Sequence, residues 1–354
     1  MKKILRFLLI LILILILAAG GLFGWLTATE YKPEAVEDLA LLQSADKLLA
    51  PGQDLDVLSW NVGYGGLGKN SDFFMDGGKE VKAAGPNAVG EYLNGINAYL
   101  YGGETPDLIL LQEVDTDSAR TYGIDETAYL AGGDMDLSRV HALNYSCNFV
   151  PFPLPPIGKV HSGLYTMTQY SIAQAQRIAL PCPFSWPVST ANLKRCLLVS
   201  YLPIEGSDSQ LVLVNLHLEA YDSGEGKIAQ TNQLREFIQS EYEKGNYVIA
   251  GGDFNQVFPG SLEVYPNAHP ELWAVGTLDD SLLPEGWQFV YDLSSPTCRL
   301  LNQPYDPSDT ANTQYYVIDG FIVSPNVTLN SVESVDLDFE NSDHNPVRMN
   351  VTLN

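Results

Sequence analysis

The sequence has few basic residues for its length. Lysine and arginine together number 19, against 43 aspartates and glutamates, which gives a formal net charge of −24 at pH 7. Proteins that bind nucleic acid usually present a basic patch or stripe, so this balance counts against tight binding of DNA or RNA. It does not exclude a metal-dependent enzyme, because a metal ion and a few local cations reverse the sign of the charge inside a site.

Cysteine is also scarce, and the sequence contains no repeat of fixed period and no stretch of low complexity. The four cysteines form no Cys-x-x-Cys pair, which argues against a zinc site. Because four cysteines allow three connectivities and their spacing favours none of them, we predict no disulfide. The cysteines are Cys147, Cys182, Cys196 and Cys298.

The N-terminus carries the clearest local signal, an uncharged apolar run at 7–26 that follows Lys2, Lys3 and Arg6. A span of the bilayer needs about 20 such residues, whereas the apolar part of a secretory signal is about 7–15 residues long. We predict that residues 1–29 form a cytoplasmic basic start and a transmembrane anchor; a cleaved signal is the alternative. The positive-inside bias then predicts a single-pass protein of the cell membrane with the remainder outside the cytoplasm.

Strand and helix patterns alternate along the rest of the chain. Helices are predicted near 89–100 and 227–243. Because no break in composition divides 54–354, we predict one catalytic domain there, an α+β sandwich of two sheets with helices outside. Residues 30–53 are predicted to be a juxtamembrane linker with a short helix around 35–49. The predicted strands are 55–61, 107–113, 163–167, 197–203, 211–218, 247–250, 315–324 and 347–353.

Eight polar or charged residues stand in or just beyond the ends of these apolar strands. Buried carboxylates are costly unless they bind a metal or pair with a base, and hard oxygen ligands suit Mg²⁺, Mn²⁺ or Ca²⁺ rather than zinc. Singly, each residue has a structural explanation as a turn, a helix cap, a core histidine or an ion pair; together they indicate a site. They are Asn61, Glu113, His217, Asp253, Asn255, Asp319, Asp343 and His344.

Six short motifs contain these residues. They are Ser-Trp-Asn-Val (59–62), Leu-Leu-Gln-Glu-Val (110–114), Val-Asn-Leu-His-Leu (214–218), Gly-Gly-Asp-Phe-Asn (251–255), Val-Ile-Asp-Gly-Phe-Ile-Val-Ser (317–324) and Ser-Asp-His-Asn-Pro-Val (342–347). In this order they closely resemble the endonuclease/exonuclease/phosphatase superfamily, whose members include DNase I, abasic-site endonucleases, sphingomyelinases and inositol-polyphosphate 5-phosphatases. The resemblance implies the DNase I-like four-layer α/β/β/α sandwich, with all six motifs at one edge.

The resemblance also implies a metal site. Glu113 corresponds to the principal Mg²⁺ ligand, with Asn61 beside it and Asp343 completing the shell. Mn²⁺ is the alternative ion.

Catalytic roles are implied in the same way. Asp253 orients or deprotonates the attacking water, and Asn255 holds the phosphate or the nucleophile. His344 contacts the scissile phosphate, while Asp319 sets its tautomer and charge through a hydrogen bond. His217 is a second phosphate contact or the proton donor.

The predicted function is that of a membrane-tethered, extracytoplasmic, metal-dependent phosphoesterase. Abasic-site endonucleases carry a carboxylate where this chain has Gly63 and lack a histidine at the position of His217, so DNA repair is the least favoured branch. The favoured substrate is a lipid headgroup or a small phosphate. A DNase-like extracellular nuclease and a catalytically inactive binding module on the same fold are the alternatives. No protein partner is predicted, and the preference for a diester or a monoester stays open.

Several residues in the loops are candidates for recognising the substrate. Lys159 and His161 either grip a phosphate or belong to a solvated loop. Trp186 and Trp273 either line a lipid or sugar surface or pack against the domain.

Overall fold

The computed structural model describes residues 2–133, 135–309 and 311–354. Its helices are α1 (Lys2–Ala28), α2 (Pro86–Tyr101), α3 (Glu126–Tyr129), α4 (Glu225–Glu243) and α5 (Ser261–Val264). Its strands are β1 (Val36–Asp38), β2 (Asp54–Asn61), β3 (Leu108–Asp115), β4 (Ser138–Val150), β5 (Gly158–Thr168), β6 (Gln174–Ala179), β7 (Cys196–Pro203), β8 (Gln210–His217), β9 (Tyr247–Asp253), β10 (Gln256–Val257), β11 (Gly276–Thr277), β12 (Gln288–Val290), β13 (Cys298–Arg299), β14 (Tyr315–Tyr316), β15 (Asp319–Val323), β16 (Val327–Ser334) and β17 (Val347–Leu353).

Two large mixed sheets form the body of the protein. One has the strand order β1-β6-β7-β8-β9-β15-β12, and the other has the order β16-β17-β2-β3-β5-β4. Strand β8 shows how alternate side chains point to opposite faces of the sheet. Leu211 and Leu213 point into the core between the two sheets, whereas Val212 and Val214 belong to the cluster on the outer face. This alternation follows from the two-residue period of a strand, and it makes both faces of the sheet apolar.

A helix covers the outer face of each sheet. The four residues of α2 at helical spacing, which include Leu93 and Ile96, are buried against the outer face of the six-stranded sheet. On the other side, Leu234 and Ile238 of α4 pack against the outer face of the seven-stranded sheet. The order of layers is therefore α/β/β/α, and the predicted DNase I-like sandwich is confirmed.

The segment before the sandwich differs from the prediction. No helix forms over 35–49 in the described structure. Instead β1 pairs antiparallel with β6 and forms the edge of that sheet, with Val36 opposite Ile178, and Leu49 is fully buried in the core between the sheets. Pairing with a strand that is distant in sequence satisfies the backbone hydrogen bonds of this segment, where a local helix was expected. The domain boundary at residue 54 remains a prediction.

Helix α1 is long and apolar enough to cross a membrane, and none of an 18-residue window of it is buried against the described protein. Its C-terminal end, by contrast, packs on the sandwich. Leu26 is only 2% exposed and joins a cluster with Tyr145 and Val150. Trp186 donates an indole N–H to the hydroxyl of Thr27 over 3.0 Å. The orientation of the helix relative to the sandwich is thus set by specific contacts.

Candidate active site

The sheet topology brings the ends of four strands to one edge. Strands β2 and β3 run parallel, and so do β8 and β9, so the carboxyl ends of each pair lie together. His217 is directly opposite Asp253 across β8 and β9. Strand β15 runs antiparallel to β9 and starts where β9 ends, which places Asp319 opposite Asp253.

The loop before β17 adds the remaining side chains. Strand β17 is antiparallel to β2, with Val347 opposite Ser59, so the preceding loop 342–346 lies beside the end of β2. The Trp60 indole donates to the carbonyl of His344 over 2.8 Å, and the Ser342 hydroxyl donates to the carbonyl of Asn61 over 2.8 Å. Residues almost 300 positions apart in sequence are therefore held side by side.

Two site residues adopt backbone conformations that residues other than glycine rarely occupy. Glu113 has a φ of 56° and Asn255 a φ of 50°. Glu113 lies where the register between β3 and β5 shifts, between Leu111 and Val114. Such a left-handed residue costs of order 1–3 kcal/mol and occurs preferentially at functional sites. At this register shift, the side chain of Glu113 no longer follows the regular alternation of side chains between the two faces of the sheet.

Asn61 joins the carboxylates at the bottom of the site. Its Nδ2 donates to Glu113 Oε1 over 3.2 Å and to Asp253 Oδ2 over 3.0 Å. Its Oδ1 accepts the backbone N–H of Gly63 over 3.0 Å. Asn61 is only 1% exposed, so its side chain lies buried beside both carboxylates.

A histidine–carboxylate pair lies next to this group. Nδ1 of His344 is 2.8 Å from Oδ2 of Asp319, while its Nε2 is 3.8 Å from Asp253 Oδ2 and 4.0 Å from Asp343 Oδ2. Potential ligand atoms of Asp253, Asp319 and His344 lie within 4.8 Å of one another. Asn255 completes the group by donating its backbone N–H to Asp253 Oδ1 over 2.8 Å. All eight residues predicted from the strand ends thus lie together.

The two histidines carry opposite pKa shifts. Burial is the largest single effect on the pKa of His344 and lowers it, but the Asp319 carboxylate together with Cys298 and Asp343 outweighs burial and holds the pKa well above the usual value. Burial lowers the pKa of His217 well below the usual value, and the positive charges of Arg195 and His344 lower it further. At neutral pH the site therefore pairs an imidazolium with a neutral imidazole.

The carboxylates are crowded. Burial raises the pKa of Asp253 to about 6, and the charge of Asp319 contributes to the rise. Burial raises the pKa of Asp343 to about 7; His344 opposes the shift and Glu113 adds to it. A divalent cation relieves such repulsion, and these oxygen donors are of the kind that hard cations prefer.

The Asp343 carboxylate lies close to the backbone of Gly63. A Cβ added at Gly63 would lie 2.8 Å from Asp343 Oδ1, so the missing side chain leaves the carboxylate open. The residues present are therefore compatible with a bound divalent metal.

A cavity of about 710 Å³ opens above these groups. Six of the eight predicted residues line it, whereas Asn61 and Asp319 lie behind them. Three buried arginines line the same cavity, and sequence patterns did not single them out: Arg120, Arg195 and Arg299. Arg299 is held by backbone carbonyls, donating from Nη2 to Gly68 over 3.0 Å and to Ser71 over 3.2 Å. No spacing rule identifies which arginines of a chain are buried in this way.

The candidates in the loops have different outcomes. Lys159 forms an ion pair with Asp117. Trp273 packs edge-on against Tyr316 and donates to the carbonyl of Ala220 over 3.0 Å. Trp186 is 62% exposed and lies at the end of α1.

Gly252, which directly precedes Asp253, has a tightly restricted backbone. Its φ is 151°, and an added Cβ would lie 1.9 Å from the carbonyl oxygen of Leu216. We expect Gly252→Ala to lower the free energy of unfolding by about 3 kcal/mol or more, since the β8–β9 pairing must shift. Urea unfolding measures this. The matched control is Gly90→Ala in α2, where nothing lies within 4 Å of the added Cβ; it is expected to stabilise by about 0.5–1 kcal/mol. Equal effects would contradict the prediction.

Comparison with known proteins identifies the fold and the family. A family model described as the Endonuclease/Exonuclease/phosphatase family matches residues 58–344. No curated protein shows significant similarity in sequence. An endonuclease/exonuclease/phosphatase from Beutenbergia cavernae DSM 12333 has a TM-score of 0.56 at 17% identity, covering 85% of this chain and 72% of that one.

Two other solved structures are similar. The endonuclease/exonuclease/phosphatase from Bacteroides vulgatus has a TM-score of 0.53 at 14% identity and covers 85% of this chain and 100% of that one. ANGEL2, described as a 2′,3′-cyclic phosphatase, has a TM-score of 0.54 at 15% identity and covers 91% of this chain and 99% of that one. At such low identity these likenesses show the fold alone. Because the family model spans most of the sequence, the chain belongs to the endonuclease/exonuclease/phosphatase family and is a hydrolase acting on ester bonds.

Proposed function

We propose that the chain is a membrane-tethered phosphoesterase that hydrolyses a phosphodiester or a phosphomonoester by in-line attack of water. The observation that carries the proposal is the convergence of the eight strand-end residues, six of which line one cavity while the other two contact them from behind. Enzymes of this family generally depend on a divalent metal. The ion we propose is Mg²⁺, with Mn²⁺ as the alternative, held by Asn61, Glu113 and Asp343.

When bound, the metal supplies charge neutralisation on the phosphoryl oxygens. Asp253 is the general base in this proposal. Asn61 donates to its Oδ2, and the backbone N–H of Asn255 donates to its Oδ1, so the carboxylate is held in a fixed orientation. A pKa raised to about 6 also makes it a stronger base than an ordinary aspartate at neutral pH.

The histidines bind the phosphate in different charge states. Asp319 accepts a hydrogen bond from His344 Nδ1–H, which leaves Nε2–H to point towards the cavity. The imidazolium stabilises negative charge that develops on the phosphoryl oxygens. His217, which is neutral, is placed to donate one further hydrogen bond to the phosphate or the leaving group.

Location and charge favour a small or lipid-borne phosphate over a polyanion. Helix α1 is proposed to anchor the protein, with the positive charges at its start in the cytoplasm and the sandwich outside. Beyond those three basic residues the chain carries 16 basic against 43 acidic residues, which repels nucleic acid at long range. A nuclease is therefore the alternative rather than the leading function.

The experiment that tests the proposal uses the full chain in detergent with three substrates in parallel: plasmid DNA, sphingomyelin-containing liposomes and a phosphorylated inositol. We expect hydrolysis of one of the latter two. Chelation with EDTA is expected to remove the activity, and added Mg²⁺ is expected to restore it, because the acidic site alone repels a phosphate ester. Metal-dependent cleavage of DNA alone would favour the nuclease. Failure of the folded protein to cleave any phosphate ester or to bind a divalent ion would favour the inactive binding module.

A further inference from the structure

The cavity above the catalytic residues extends to the membrane helix. Its lining includes Glu113 and His344 at the bottom and Phe23 and Leu26 of α1 at the far end. Its volume of about 710 Å³ falls within the range of about 300–1,000 Å³ that is usual for small-molecule sites. One continuous space therefore connects the site of hydrolysis with the segment proposed to lie in the bilayer.

The wall between these two ends is apolar and rich in aromatic side chains. Phe73 and Phe74 of the glycine-rich loop after β2 contact each other with ring centroids 4.8 Å apart. Phe74 also contacts Phe152, with ring centroids 6.1 Å apart. Ile157 and Val188 continue this lining. Such a wall offers a phosphate or a sugar few hydrogen-bonding groups, but it suits hydrocarbon.

Several exposed apolar residues line the cavity or lie within two residues of its lining. Phe152 is 69% exposed and Leu154 is 87% exposed. Trp186 and Val188 are also exposed. Exposed apolar side chains grouped on neighbouring loops mark interaction sites for a membrane or a protein, and tryptophan is enriched at the interface between membrane and water. We refer to Phe152, Leu154, Trp186 and Val188 as the apolar rim.

The apolar rim is continuous with the helix that enters the membrane. The Phe23 ring of α1 is 6.3 Å from the Trp186 ring, and Lys194 Nζ lies 2.9 Å from Glu30 Oε1 just beyond the helix. Phe23 and Leu26 belong to the last turns of the apolar run, where a helix of this length leaves the hydrocarbon. With α1 in the bilayer as proposed, the mouth of the cavity would lie at the level of the lipid headgroups.

We propose that this cavity holds the hydrocarbon part of a membrane lipid, drawn from the bilayer that α1 spans, while the phosphate ester of that lipid lies at the catalytic residues. The inference rests on the proposed function and narrows its substrate to a lipid. The apolar rim enters the interfacial region, so the lipid reaches the site without crossing water. The aromatic wall keeps the acyl chain of the lipid out of water once the lipid has left the bilayer, so the cost of exposing hydrocarbon is avoided.

The test uses the full chain reconstituted in phosphatidylcholine vesicles. One assay follows hydrolysis of sphingomyelin in these vesicles, and the other follows bis-p-nitrophenyl phosphate, a soluble diester without an acyl chain. We expect Phe152→Ser combined with Leu154→Ser to lower the ratio of lipid to soluble turnover about tenfold. Val188→Ser is the second variant, with the same expected direction. Ile228→Ser on α4, a matched apolar residue that is 63% exposed away from the cavity, is expected to leave the ratio unchanged.

Photo-crosslinking provides a measurement that does not depend on turnover. Phosphatidylcholine with a diazirine in its acyl chain is expected to label the segments 151–157 and 184–191 in addition to α1. Labelling confined to α1, together with an unchanged ratio in the rim variants, would overturn the inference even if the protein hydrolyses soluble diesters. Labelling of the two loops in a protein that hydrolyses no phosphate ester would support lipid binding in the cavity and overturn the proposed hydrolysis.

Discussion

Asp253→Asn is expected to lower kcat by about 10²–10⁴-fold, the usual contribution of a general base. The amide retains the shape of the side chain but cannot take a proton from water. Asp253 is 1% exposed and faces Asp319 across the sheet, so removing its charge relieves repulsion, and we expect the melting temperature to stay the same or rise. Steady-state kinetics with a soluble diester and thermal unfolding measure the two effects.

The matched control for this variant is Asp208→Asn. Asp208 is exposed in the turn between β7 and β8, and His217 lies at the opposite end of β8, about 20–25 Å away along the strand. The control is expected to behave as the wild type in both measurements. A kcat within threefold of the wild type for Asp253→Asn would remove Asp253 from the role of base.

Glu113→Gln is expected to weaken the binding of Mg²⁺, and the loss of activity is expected to follow mainly from this weaker binding. Loss of a residue that only supports a metal ligand costs about 10–100-fold in affinity, so loss of the principal ligand is expected to raise the Mg²⁺ concentration for half-maximal activity by about 100-fold or more. Activity should return in part at high Mg²⁺. Mg²⁺ at 100 times its dissociation constant is expected to raise the free energy of unfolding of the wild type by about 2.7 kcal/mol. At the same Mg²⁺ concentration, the free energy of unfolding of Glu113→Gln should not rise.

Two further substitutions separate metal binding from backbone strain. Glu113→Gly removes the carboxylate and also relieves the left-handed φ of 56°, so we expect it to be inactive but to unfold at a temperature no lower than that of Glu113→Gln. Glu205→Gln, at an exposed position in the loop before β8, is the matched control. An unchanged Mg²⁺ requirement in Glu113→Gln would rule out Glu113 as the principal ligand.

Local periodicity predicted the elements that depend on local interactions. The spacing of the apolar residues in α2 predicted a helix, and the helix buries those same positions, which include Val89 and Leu100. The final strand begins and ends at the residues expected, Val347 and Leu353. The segment 315–324 forms two strands instead of one, β14 and β15, because β14 pairs with β13 and β15 pairs with β9.

Motif order was sufficient to predict the family, the four layers and the edge at which the eight strand-end residues meet. Each of these follows from short-range patterns. The polar residues stand directly at the ends of apolar strands in the sequence, and the six motifs occur in the order that is typical of the family. The role of each residue, the identity of the metal and the extracytoplasmic location remain predictions that the experiments above address.

The shape of the substrate site depends on contacts between segments far apart in sequence. The aromatic wall, the buried Arg299 and the packing of Leu26 against Tyr145 and Val150 carry no local signal, because burial and proximity arise only when the sheets stack and α1 docks on the sandwich. The edge strand β1 arose for the same reason, since its partner β6 lies more than a hundred residues away. The residues that form the site could thus be predicted from short motifs, whereas the extension of the cavity towards α1 could be seen only after the chain was folded, because long-range packing creates it.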